Sequence, residues 1–90
     1  MAIVERTAKI VNPLGLHARP AAEFVKTASR FRSEISVKKD EEFVNGKSIL
    51  GVMTIAAEFG SELTIRAEGD DAEEAVTALV ALVDRGFNEL

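Results

Sequence analysis

The spacing of apolar residues switches back and forth between two periods along this chain, and that switching narrows the fold more than any other feature. A period of two marks a strand with one buried face; a period near 3.6 marks a helix with one buried stripe. From Ser33 to Lys39, Ile35 and Val37 alternate with Glu34, Ser36 and Lys38. From Ser61 to Glu68, Leu63, Ile65 and Ala67 alternate with Glu62, Thr64, Arg66 and Glu68. Ala2 to Val11 also predicts a strand, but its alternation is imperfect, with Ile3, Val4, Ala8, Ile10 and Val11 set around Glu5, Arg6, Thr7 and Lys9. Glu42 to Asn45 reads as a short strand carrying Phe43 and Val44, paired as a hairpin with 33–39 across Asp40-Glu41.

Between these stretches the period changes. Ala21, Phe24, Val25, Ala28 and Phe31 share one face of a helix from Ala18 to about Ser29. Pro20 is tolerated there because the first turn has N–H groups without intrahelical partners. Ala72, Ala75, Val76, Leu79, Leu82 and Val83 form the stripe of a helix from Asp70 to Arg85. Asp70 with Glu73, or Asp71 with Glu74, suggests a capping box, and Gly86 a stop. Residues 87–90 are expected to be a loose tail. Ser48 to about Ala56 predicts a short helix with Ser48 as N-cap, although Gly51, Val52, Thr54 and Ile55 weaken it.

The order is β-α-β-β-α-β-α. One-faced strands and one-striped helices bury those surfaces against each other, which gives a helical layer over one antiparallel sheet, an α+β fold. Periodicity does not fix the strand order, so a ferredoxin-like arrangement stays open. Ninety residues suffice for one domain, 1–90, and exclude an enzyme with a cleft between two lobes.

Composition removes whole classes of function. Fifteen acids against 11 bases, a net −4, argue against a general nucleic-acid binder. With no Cys and one His, disulfide scaffolds, thiol nucleophiles and Cys or two-His metal sites are excluded. No metal or cofactor is expected. No apolar run reaches the roughly 20 residues of a membrane span, and no signal-peptide core opens the chain, so the cytoplasm is the expected compartment. Charge is uneven: residues 1–47 hold nine bases and six acids, net +3, while 48–90 hold two bases and nine acids, net −7. A locally cationic face meeting an acidic partner is one consequence; ordinary solvated surface is the other.

The single His, His17, stands where the Pro/Gly loop meets the first helix, as N-cap or its neighbour. A helix start offers free N–H groups, here those of Ala18 and Arg19, to an anion. The Arg19 guanidinium can fork onto a phosphate. Gly15 lets the loop approach the imidazole without a side chain in the way. A nucleophilic nitrogen beside an anion nest can accept and hold a phosphoryl group. No acid–base group is visible nearby in sequence, so partners would supply the catalysis and the chain would be a carrier, not an enzyme.

Leu14-Gly15-Leu16-His17-Ala18-Arg19-Pro20-Ala21-Ala22 resembles the phosphorylation-site signature of HPr, the histidine-containing phosphocarrier family of the bacterial sugar phosphotransferase system. Asn45-Gly46-Lys47-Ser48-Ile49-Leu50-Gly51-Val52-Met53 resembles that family's regulatory-serine motif, and the likeness spans essentially the whole chain. The resemblance implies an open-faced sandwich, three helices on one face of a four-stranded antiparallel sheet. It implies phosphorylation of His17 at Nδ1 by enzyme I from phosphoenolpyruvate, transfer to enzyme II A domains, and phosphate neutralisation by Arg19. It implies that Ser48, besides capping, is a substrate of HPr kinase/phosphorylase in species that have one. A nitrogen-related regulatory branch carries very similar motifs. The competing reading from a different class is a small ferredoxin-like regulatory or ligand-binding domain with His17 incidental.

The segment after Ser48 is apolar nearly all round, yet a helix on one sheet face buries one side only. Ile49, Leu50 and Met53 are therefore expected contacts for partners, with Val52 buried. Lys26 and Lys47, with Arg19 and Arg30, are expected to frame that patch. The protein is expected to act as a monomer.

Overall fold

The two clean alternations become the middle of the sheet. In a computed structural model describing residues 2–89, β2 (Glu34–Lys38) and β4 (Glu62–Glu68) pair antiparallel, Val37 opposite Ile65. Ile35, Val37, Leu63, Ile65 and Ala67 all point to the core. β1 (Ile3–Lys9) lies on the far side of β4, and β3 (Val44–Asn45) on the far side of β2. The order is β1-β4-β2-β3, every pair antiparallel. The last strand is thus the one inserted between β1 and β2. A ferredoxin-like sheet would insert the third, so that alternative is closed.

Three helices, α1 (Ala18–Ala28), α2 (Ile49–Met53) and α3 (Ala72–Asp84), cover one face. Every residue of the predicted α3 stripe is buried. In α1 the stripe is buried at Ala21, Phe24 and Ala28, while Val25 and Phe31 pack at its margin. The other sheet face is open and polar. Phe43 covers part of it, its ring centroid 4.8 Å from Lys38 Nζ and 5.9 Å from Arg66 Cζ.

The imperfect alternation of the first strand has a cause. Register places Val4, Arg6 and Ala8 opposite Ala67, Ile65 and Leu63, so Arg6 occupies a core-side position. Its guanidinium escapes the core by pairing with Glu73 and donating to Thr77, both on α3. An amphipathic side chain of this kind covers apolar surface with its stem and keeps its charge in water.

Four expectations change. β1 ends at Lys9 rather than Val11, although Ile10 N–H still donates to Ser61 O at 2.8 Å. β3 keeps only Val44 and Asn45, because Phe43 lies against the two cations instead of continuing the ladder. α2 stops at Met53; Ile55 and Ala56 N–H turn back to Val52 and Met53 O, and Ala56 then takes φ +51°. The end of the chain is not a loose tail. Gly86 follows α3 at φ +67°, as a helix stop does, and Gly86–Asn88 form a 3-10 turn with Phe87 only 2% exposed. Leu90, like Met1, lies outside the described residues.

Candidate functional site

The loop before α1 is fastened at several points. Asn12, fully buried, accepts from Gly15 N–H at 3.1 Å and donates from Nδ2 to Gly15 O at 2.7 Å. Gly15 has φ +70°, and a Cβ there would stand 2.5 Å from Ala57 O. Both the conformation and the close approach exclude other residues. Leu16 N–H donates to that same carbonyl at 2.9 Å and its side chain is buried. The next residue steps out of the core as the N-cap of α1: His17 is extended at φ −80°, ψ −171°.

The cap position fixes which donors remain free. The first intrahelical bond runs from Ala21 N–H to His17 O at 2.9 Å. Ala18 and Arg19 N–H precede it, and Pro20 has none, so two donors face outward beside the imidazole. The His17 side chain makes no capping bond. Arg19 is exposed, and its guanidinium has no hydrogen-bond or ion-pair partner among the described residues. It is free to follow an anion rather than being held in one place.

The imidazole has a partner that sequence reasoning missed. Glu89 Oε2 lies 3.0 Å and Oε1 3.2 Å from His17 Nε2. The His17 side chain is 37% exposed and that of Glu89 17%. Asn12 Nδ2 also donates to Glu89 Oε1 at 3.0 Å. Nothing near His17 in the sequence announces this carboxylate: it comes from 72 residues away, brought back by the turn after α3.

Ser48 caps α2, its Oγ accepting from Gly51 N–H at 3.1 Å. Beside it Ile49 is 44%, Leu50 78% and Met53 40% exposed, while Val52 is fully buried. α1 and α2 are neighbours, so this apolar group flanks the helix that carries His17. Lys26 is exposed on α1. Lys47 is not a free cation on this face: its Nζ donates to Phe31 O at 2.7 Å and ties the end of α1 to the loop before α2.

A family model described as the PTS HPr component phosphorylation site matches residues 4–85. The chain belongs to the HPr family. Its relatives include the phosphocarrier protein HPr of Treponema pallidum, 46% identical over 97% of this chain and 99% of that one. The solved HPr of Thermoanaerobacter tengcongensis has 52% identity and a TM-score of 0.92, covering 97% of this chain and 98% of that one. A second branch is represented by Bacillus subtilis Crh, 43% identical with a TM-score of 0.75 over 91% of this chain and 94% of that one; its structure is described as a dimer with a swapping domain. Membership in the HPr family makes the chain a phosphocarrier, with catalysis left to phosphotransfer partners. No helix among the described residues is long and apolar enough to cross a membrane.

Proposed function

We propose that His17 is the phosphoacceptor of a sugar-branch carrier. It takes a phosphoryl group from phosphorylated enzyme I and passes it to enzyme II A domains. The observation that carries this reading is the pairing of Nε2 with Glu89, which leaves Nδ1 as the ring atom with a free lone pair. An ionised carboxylate only accepts, so the ring hydrogen sits on Nε2. That lone pair forms the new N–P bond; the bond from phosphorus to the donor breaks, and its electrons return to the donor's leaving atom. The phosphoryl oxygens then meet Ala18 and Arg19 N–H and the exposed Arg19 guanidinium, an arrangement that suits a dianion. Ile49, Leu50 and Met53, with Lys26, form the docking surface. Ser48 is the regulatory position, open to an HPr kinase where one exists. The carrier works in the cytoplasm as a monomer, with residues 1–90 forming one domain.

Incubation with phosphoenolpyruvate and enzyme I tests the reading. Wild type gains one acid-labile phosphate; His17→Ala folds and gains none. Arg19→Glu keeps its melting temperature, because an exposed substitution typically moves stability by under about 0.5 kcal/mol, yet transfers slowly. Acid-labile phosphate on His17→Ala would remove His17 from the mechanism.

A further inference from the structure

We propose that Asn12 is a positioning residue for phosphoryl transfer: its side-chain amide clamps Gly15 and so holds the loop that presents His17 in one place. The inference rests on the reading of His17 as phosphoacceptor.

Three observations carry it. Asn12 grips Gly15 twice: its main-chain carbonyl accepts from Gly15 N–H at 3.1 Å, and its Nδ2 donates to Gly15 O at 2.7 Å. Both polar groups of the glycine are thus bound by one residue. Gly15 has no slack on its other side either. It has φ +70°, and a Cβ there would stand 2.5 Å from Ala57 O, the carbonyl that also accepts from Leu16 N–H at 2.9 Å. The clamped glycine lies two residues before the imidazole. The third observation is an anomaly: Asn12 is fully buried, yet its Oδ1 has no hydrogen-bond partner among the described residues. A buried acceptor left unpaired is destabilising, and an apolar side chain would avoid it. An apolar side chain has no N–H to donate, however. Nδ2 uses both of its hydrogens, one on Gly15 O and one on Glu89 Oε1 at 3.0 Å. The position holds an amide for what it donates.

Placement matters because transfer needs several groups to converge. The N–P bond forms at Nδ1 as the bond from phosphorus to the donor breaks and its electrons leave on the donor. At the same moment the phosphoryl oxygens meet Ala18 and Arg19 N–H, so catalysis is largely alignment and electrostatics. Those two donors belong to α1, whereas the imidazole hangs on the residue that joins α1 to the loop. When Gly15 is released, the His17 backbone shifts, and ring and helix no longer address one phosphoryl group. The apolar group on α2 is held by Val52 and the Ser48 cap and not by Asn12, so docking is untouched.

The test compares Asn12→Ala with wild type and with Val37→Ala, a core truncation in β2 that lowers stability away from the loop. All are assayed well below their melting temperatures. Steady-state transfer from enzyme I gives kcat and KM. Amide proton shifts of Ala18 and Arg19, measured before and after phosphorylation, report their bonds to the phosphate without any partner present. In Asn12→Ala we expect kcat to fall between about tenfold and a hundredfold, the scale of a small misplacement, at unchanged KM. The phosphorylation-induced amide shifts shrink, while Val37→Ala keeps wild-type kcat, KM and shifts. Since Asn12 also donates to Glu89, the substitution is repeated in a Glu89→Ala background, where only the Gly15 clamp is left to lose; kcat should fall again by a similar factor. Asn12→Asp in that background keeps the shape, lacks the donors, and gives the same reading should the truncation fail to fold. Wild-type kcat in Asn12→Ala, a loss confined to KM, an equal loss in Val37→Ala, or no further loss in the Glu89→Ala background would each overturn the proposal. A wrong phosphoacceptor shows itself differently: wild type then carries its phosphate off His17, whereas a failed clamp leaves it on His17 with kcat intact in Asn12→Ala.

Discussion

Asp71 stands where α3 begins, yet its oxygens do not cap that helix. They accept from Arg32 N–H at 2.9 Å, Ser33 N–H at 2.9 Å and Ser33 Oγ at 2.5 Å, joining the loop after α1 to the start of α3. The Ser33 hydroxyl first, and then the Arg32 amide, stabilise the ionised form and lower its pKa from 3.8 to about 2. A carboxylate whose folded pKa is depressed adds stability above its unfolded pKa and loses it as pH falls toward the folded one. The expected window is thus from about 4 down to about 2. Urea unfolding of wild type across that window should show stability falling, and Asp71→Asn should start lower and fall less steeply; parallel curves would remove Asp71 from the acid response. At this scale legibility follows sequence distance. Ser48 was legible as a cap because its partner, Gly51 N–H, lies three residues away on the helix it starts. Glu89 and Asn12 were not, since their contacts span 72 and 77 residues. No periodic signal announces a turn made by Phe87 and Asn88 at positive φ. The capping box at α3 failed for the same reason: a distant loop outcompeted the local N–H groups for Asp71.

Among the elements, α2 shows most clearly how a weak local preference becomes definite. It has five residues, Gly51 at its centre, and no charged residue in its first or last turn. An isolated helix that short does not form in water. Val52, fully buried, and the Ser48 cap hold it, and α1 packs alongside. Removing the cap with Ser48→Ala should cost about 1 kcal/mol, read as a drop in denaturation midpoint. Ser48→Asp retains an acceptor for Gly51 N–H and should keep the fold. It also places a negative charge beside Ile49 and Leu50 on the proposed docking surface, so transfer from enzyme I should slow. A folded Ser48→Asp protein that transfers at the wild-type rate would move that surface elsewhere. The mixed outcome of the sequence reading at this level is physical. β2, β4, α1 and α3 have buried faces long enough to show their period, while β3 is two residues long and α2 carries only one buried side chain.

For the whole molecule, the relevant quantity is how charge and apolar surface divide the work of docking. The net charge is −4, yet α1 presents Arg19 and Lys26 to solvent and the turn after it exposes Arg30, while the neighbouring α2 exposes Ile49, Leu50 and Met53. These two contributions respond differently to salt. Exposed charges are screened over about 10 Å at 0.1 M ionic strength, whereas apolar burial is not weakened by added salt. The KM for phosphorylated enzyme I should therefore rise with ionic strength in wild type. Neutralising Lys26 and Arg30 together should flatten that dependence. Leu50 is the most exposed of the three apolar residues, at 78%, and stands clear of the core. Leu50→Ala should raise KM by about fivefold at every salt concentration, the effect of losing roughly 1 kcal/mol from an interface anchor, with stability nearly unchanged. Lys47 should behave unlike the other cations. Its ammonium is engaged with Phe31 O, so Lys47→Ala should lower stability more than it changes the salt dependence. A salt-independent KM in wild type, or a Leu50→Ala variant whose defect disappears at high salt, would show that this face does not dock as an apolar centre framed by positive charge.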